Sequence, residues 1–287
     1  MTSRSGQYVI PAMHAIEGAG FHVRRPFPTP NLPMVDPFLL LDHMGPQDHA
    51  PGEAEGAPDH PHRGFETVSY ILEGAFEHKD SVGNAGRIGP GAVQWMTAGA
   101  GVVHSEMPAA EIRTDGGRLH GFQVWVNLPA AAKMMPPRYQ DVLATDVPEV
   151  ELDEGRVTVR VIAGDLAGAS AAARTHTPIA YWHLRLQPGG RFVGPVPDAW
   201  NAMAYVVDGS VVAGGASADE GHLVLFAPDG DEVVVVAGEA PADVLLLAGE
   251  PIREPVARYG PFVMNTREEI IEAFEDYQAG RMGRITV

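Results

Sequence analysis

Three strand-like segments recur in the same order in the two halves of this chain, and that duplication constrains the fold more than any single motif. Tyr70-Ile-Leu-Glu-Gly74 is matched by Tyr205-Val-Val-Asp-Gly209, a short strand closing on a glycine turn. Gly91-Ala-Val-Gln-Trp-Met is matched by Gly221-His-Leu-Val-Leu-Phe. Phe122-Gln-Val-Trp-Val-Asn-Leu-Pro129 is matched by Val244-Leu-Leu-Leu-Ala-Gly-Glu-Pro251, a strand ending at proline. A chain of 287 residues divides comfortably into two domains of about 140 residues each. The apolar runs are short and separated by turn residues, as at Asp80-Ser-Val-Gly-Asn-Ala-Gly86, Gly214-Gly215 and Asp229-Gly230. Such a pattern suits an antiparallel barrel or sandwich. The expectation is therefore all-β: two tandem antiparallel β-barrels, residues 1–135 and 151–287, joined by a 136–150 linker that opens on Pro136-Pro137.

One segment breaks the β pattern. From Asn265 to Gln278 the sequence predicts a helix capped by Thr266 or Asn265, with acids in its first turn. Ile270, Ile271, Phe274 and Tyr277 would form its apolar stripe, and Gly280 would stop it.

Chemistry concentrates in the first half, where nine of the twelve histidines fall. The central run is Asp59-His-Pro-His-Arg-Gly-Phe-Glu-Thr-Val-Ser-Tyr70. Residues i and i+2 of a strand share a face, so His60 and His62 can turn two imidazoles to one ion. His104-Ser-Glu106 repeats the spacing with an imidazole and a carboxylate. Together they make a three-nitrogen, one-oxygen site suited to Fe, Mn, Co, Ni, Cu or Zn, with two positions open on an octahedral ion. Glu66 lies four residues after His62 and would also face inward on a regular strand, as an alternative carboxylate or a support to the ligands. His78 and His120 are assigned to surface or strand-end positions. Sliding Tyr70 onto Tyr205 and Gly91 onto Gly221 sets Pro195 and Pro197 against His60 and His62, and Val234 and Val236 against His104 and Glu106. The expectation is one metal per chain, in the first domain.

Composition excludes other classes. The absence of cysteine removes disulfides, thiolate metal sites and cysteine nucleophiles. Net charge is −17, with −4 on residues 1–140 (10 basic, 14 acidic) and −13 on the remainder (10 basic, 23 acidic). Such a surface repels phosphate backbones, so no direct nucleic-acid binding is expected, while the acidic second half could face a basic protein partner. No stretch approaches a membrane span and no signal peptide is visible, which gives a soluble, cytoplasmic expectation.

His60-Pro-His-Arg-Gly-Phe-Glu-Thr-Val, Gly101-Val-Val-His-Ser-Glu-Met107 and Arg258-Tyr-Gly-Pro-Phe-Val-Met-Asn-Thr-Arg-Glu-Glu269 resemble the pirin family. Asp36-Pro-Phe-Leu-Leu-Leu-Asp42 and Leu119-His-Gly-Phe-Gln-Val-Trp-Val-Asn-Leu-Pro129 match as well. The resemblance runs from about residue 10 to the C-terminus. It implies a bicupin, two cupin-type barrels with metal in the N-terminal one, and ligands at His60, His62, His104 and Glu106. The wider cupin pattern would use Glu66; the pirin resemblance decides for Glu106. Iron is ranked first among the metals. Two function classes are implied. One is a quercetin 2,3-dioxygenase-like enzyme that opens a flavonol with O2 and releases carbon monoxide, with Glu106 as base and Phe65, Met96 and Trp125 as candidates for an apolar wall. The other is a metal-dependent regulatory protein that binds a transcription factor or a metabolic enzyme.

Overall fold

The structure, a computed structural model, describes residues 1–285. Its strands pair antiparallel throughout the four principal sheets. They fall into two compact units of the same design, each a seven-stranded sheet with a four-stranded sheet, so each is an antiparallel sandwich and not a closed barrel.

The histidine-rich unit comprises His14–Arg25, Phe38–Thr145 and what is described from Ile252 on. At the centre of its large sheet, Phe65–Glu73 lies between Val93–Thr97 and Gly117–Asn127. Phe65–Glu73 and Val93–Thr97 are buried on both faces over almost all of their length, so Glu66, Thr67, Ser69 and Gln94 lie inside with their apolar neighbours. Its small sheet places Val102–Pro108 between Ala57–His62 and Phe76–Asp80, with Ala85–Ile88 outside.

The other unit comprises Met1–Met13, Pro26–Pro37 and Asp146–Pro251. Its small sheet runs Arg191–Pro195, Glu232–Ala237, Ser210–Ala213, Ala216–Asp219, the same order as in the first unit. Its core packs Trp182, Leu184, Phe192, Val233, Val235 and Leu246, among others. Burying each large apolar side chain stabilises the fold by roughly 1.5–3 kcal/mol.

The division differs from a cut at 135–151. Gly6–Pro11 pairs with His222–Phe226 and so completes the large sheet of the second unit. Arg138–Val142, from the expected linker, fills the equivalent edge of the first unit by pairing with Val93–Thr97. An open sheet edge needs a partner for its N–H and C=O groups, and both edges recruit one from outside their own half. The sequence slide is also one residue out of register. Val234, Val236 and Pro195 point away from the core, and the inward positions are held by Phe192, Val233, Val235 and Ala237. The inward residues are apolar in either register, so the second unit still lacks ligands.

The helix spans Arg267–Gln278. Thr266 accepts from the Glu269 N–H while the Glu269 carboxylate accepts from the Thr266 N–H, a full capping box. At the other end Gly280, with φ of +73°, ends the helix as Arg281 N–H reaches back to Asp276 O. The buried side is Ile270 and Ala273, with Phe274 against Phe262; Ile271 and Tyr277 are largely exposed, so the expected stripe is narrower by two residues.

Candidate metal centre and substrate cavity

The small sheet of the histidine-rich unit brings the two motifs together by register. His104 stands directly opposite His60, and Val102 opposite His62. A bulge between His104 and Glu106 sets Glu106 opposite Ala57. Donor nitrogens of His60, His62 and His104 lie within 4.8 Å of one another, and His60 Nε2 is 3.0 Å from His62 Nε2. Among the described residues this is the only such group of three or more histidines and acids. Both ring nitrogens of His104 are buried without a hydrogen-bond partner, a costly condition that a metal relieves. Burial, and then the neighbouring imidazoles, hold the His62 and His104 pKa values well below the usual histidine range, so both rings are neutral, the form that ligates. The three imidazoles thus fit a divalent metal.

Glu106 lies beside this cluster, Oε2 3.9 Å from His104 Nε2. Ser69 Oγ donates to its Oε1 (3.0 Å) and Gln123 Nε2 donates to its Oε2 (3.0 Å). Ser69 and Gln123 are direct cross-strand partners on the large sheet. The indole N–H of Trp125, a donor only, meets Gln123 Oε1 at 3.2 Å, which leaves the amide NH2 to face Glu106. Sequence reading missed this support. Its signal was present: Ser69 and Gln123 are each a polar residue set directly between apolar neighbours, Val68 and Tyr70 in one strand, Phe122 and Val124 in the other.

Glu66 does not join the cluster. Gly64 adopts φ of +89° and turns the chain from the small sheet to the large one, which resets the alternation that linked Glu66 to His62. Ser69 and Ile71 line the cavity, whereas Glu66 is wholly buried on the other parity and accepts from Thr97 Oγ1 at 2.6 Å. His78 is a second correction. It is buried opposite Glu106 in the ladder and stacked on Tyr139, far from a surface role. His120 is largely buried too, its Nε2 2.8 Å from His43 Nε2.

The cluster opens onto a cavity of about 560 Å³. Its apolar walls include Leu40, Met44, Ile71, Phe76 and Ile88. Of the three expected wall residues Trp125 lines it, while Phe65 packs behind Trp125 and Met96 is buried with Ala98 and Val102. A charged group also lines the cavity. Arg25 donates to both oxygens of Asp42 (2.7 and 2.5 Å) and pairs with Glu17. Burial lifts the Asp42 carboxyl to about 6, against the pull of Arg25. Arg258 lies over the Trp125 ring, 4.8 Å from its centroid. Arg258 reaches the site on the hairpin Ala257–Tyr259/Phe262–Met264, whose tip sets Pro261 O 3.4 Å from His62 Nδ1.

Two family models match the chain, Pirin over residues 20–126 and the Pirin C-terminal cupin domain over 181–283. The chain belongs to the pirin family. A pirin-like protein of Caulobacter vibrioides is 48% identical over 267 residues, covering 92% of this chain and 94% of that protein. Human pirin is 42% identical, covering 93% of this chain and 90% of its own length. Among solved structures, a quercetin 2,3-dioxygenase from Acinetobacter baumannii superposes with a TM-score of 0.93 at 38% identity, over 99% of this chain and 100% of that one. The first model falls mainly on the histidine-rich sandwich and the second mainly on the other, with its residues 252–283 in the histidine-rich unit, and the pirin bicupin fold is the one described above. No helix among the described residues is long and apolar enough to cross a membrane.

Proposed function

We propose that this pirin-family protein is a metal-dependent dioxygenase that opens a flavonol such as quercetin with O2, with one metal held by His60, His62, His104 and Glu106. The observation that carries the reading is the convergence of three imidazoles and the Glu106 side chain on an apolar cavity of about 560 Å³. That volume is within the range of roughly 300–1,000 Å³ typical of small-molecule sites. The structural likeness to a quercetin 2,3-dioxygenase supports the same substrate class.

When bound, the metal supplies Lewis acidity that lowers the pKa of a flavonol hydroxyl and a centre at which O2 reacts. The chain's own residues do the rest. Glu106 accepts the 3-hydroxyl proton, and Ser69 and Gln123 fix the carboxylate for that transfer by holding one oxygen each. The walls at Leu40, Ile71 and Phe76 exclude water and bury the ring system. Two ring C–C bonds break, the carbon between them leaves as CO, and both O2 atoms are retained in the products, so no external reductant is consumed.

The test is anaerobic metal loading with Fe, Mn, Co, Ni, Cu or Zn followed by O2 uptake with a panel of flavonols. Glu106→Gln should lose turnover well beyond any loss of metal, because a general base contributes roughly 10²–10⁴-fold. Activity that merely tracks metal content would make Glu106 a ligand only. Absence of O2 uptake with every metal would overturn the dioxygenase reading and leave the regulatory one, to be tested with the full-length protein as bait for protein partners.

A further inference from the structure

The cavity holds a cation whose hydrogen-bonding capacity is mostly unspent. Arg25 is committed to Asp42 and Glu17. Arg258 is not so committed. Of its five N–H donors one meets Leu39 O, at 3.0 Å, and it forms no ion pair among the described residues. Arg258 lines the cavity with its guanidinium resting on Trp125, an indole that itself lines the cavity and lies 5.2 Å from the His62 ring. A single indole therefore separates this cation from the imidazole cluster. Trp125 also carries Phe65 at 4.3 Å and donates to Gln123, so it acts as a fixed platform for Arg258. Burial, and then the nearby Arg25, act against the Arg258 charge, while Asp42 and Glu17 offset part of that cost without reaching hydrogen-bonding contact with it; an anion in the cavity would relieve the remainder.

We infer that Arg258 is a substrate-binding residue that selects a planar aromatic carrying an anionic oxygen over its neutral counterpart. The inference rests on the proposed dioxygenase site and names the ionic form that site takes. The apolar walls hold the ring, and the fork of free N–H groups donates to the enolate or an adjacent oxygen. Because Arg258 sits on Trp125, which orients Gln123, which holds Glu106, the anion-binding group and the proposed base share one connected framework.

The test is binding to zinc-loaded protein under anaerobic conditions, using quercetin and luteolin, which differ only in the 3-hydroxyl. The ratio of their Kd values is measured at pH 8 in the wild type, Arg258→Lys and Arg258→Gln, each checked for metal content and melting temperature. Wild type should prefer quercetin, and Arg258→Gln should shrink that preference by roughly 10-fold or more, the scale of a charge-assisted hydrogen bond. Arg258→Lys should keep part of it. Should glutamine disturb folding, Arg258→Met retains the packing of the stem on Trp125 and serves as the uncharged variant. A ratio in the uncharged variant equal to wild type at equal metal content, or a wild type that binds neither probe or shows no preference, would overturn the inference. An Arg258-dependent preference without O2 uptake would sink the dioxygenase reading and keep the anion site. O2 uptake with an unchanged ratio would do the reverse.

Discussion

Lys133 is almost fully buried, and its ammonium donates to Gly64 O (2.7 Å), Asn127 Oδ1 (2.7 Å) and Val263 O (3.0 Å). It therefore ties the turn after His62 to the hairpin that closes the cavity. Burial lowers its pKa to about 8, against an ordinary value near 10.4 in the unfolded chain. Above pH 8 the folded protein has released this proton while the unfolded chain still binds it. Stability must then climb with pH. The rise attributable to Lys133 is about 2 kcal/mol between pH 7 and pH 9.5. With no cysteine, no thiol titrates in that window, and Lys79 is the only other lysine. The experiment is urea unfolding at intervals from pH 7 to 9.5 for wild type and Lys133→Met. The variant orphans three acceptors, so its absolute stability will change as well; the diagnostic is the slope. Wild type should gain about 2 kcal/mol more than the variant over the window. Parallel slopes would refute the argument and mean that the lysine keeps its proton to the ordinary pKa.

A His60→Ala/His62→Ala protein should lose the single metal of the chain yet retain its β-sheet circular dichroism, because two packed cores do not depend on the ion; two tightly bound metals per wild-type chain, or full metal content in the variant, would contradict this. Gly64→Ala should destabilise by roughly 3 kcal/mol in urea unfolding, from a left-handed backbone and steric crowding together, because a Cβ there would stand 2.0 Å from Val263 O at φ of +89°; a loss below about 1 kcal/mol would show that the hairpin yields easily.

What the sequence could reveal was whatever depended on local period. The i, i+2 spacing of His60/His62 and of His104/Glu106 survives because each pair sits on one strand, and the register joining them is set by a single antiparallel ladder. The capping box at Thr266 and Glu269 is equally local. Glu66 misled because a positive-φ glycine between two strands leaves no mark on hydrophobic pattern while it changes sheet and parity. The inward face of Glu232–Ala237 was misplaced by one residue because four consecutive valines carry no phase. The cavity's charged lining joins Arg25 and Asp42, on neighbouring strands, to Arg258 from the far end of the chain, a convergence that only the fold makes visible.

The hairpin from Ala257 to Met264 has a consequence for biosynthesis. His60, His62, His104 and Glu106 leave the ribosome long before Arg258 and Pro261 do, yet Pro261 O stands at His62 and Arg258 walls the cavity. A nascent chain can thus display every proposed ligand while its cavity is still open on that side. Ions that meet it then face imidazoles in a shallower, wetter groove, where selection follows intrinsic affinity and favours copper and zinc over iron.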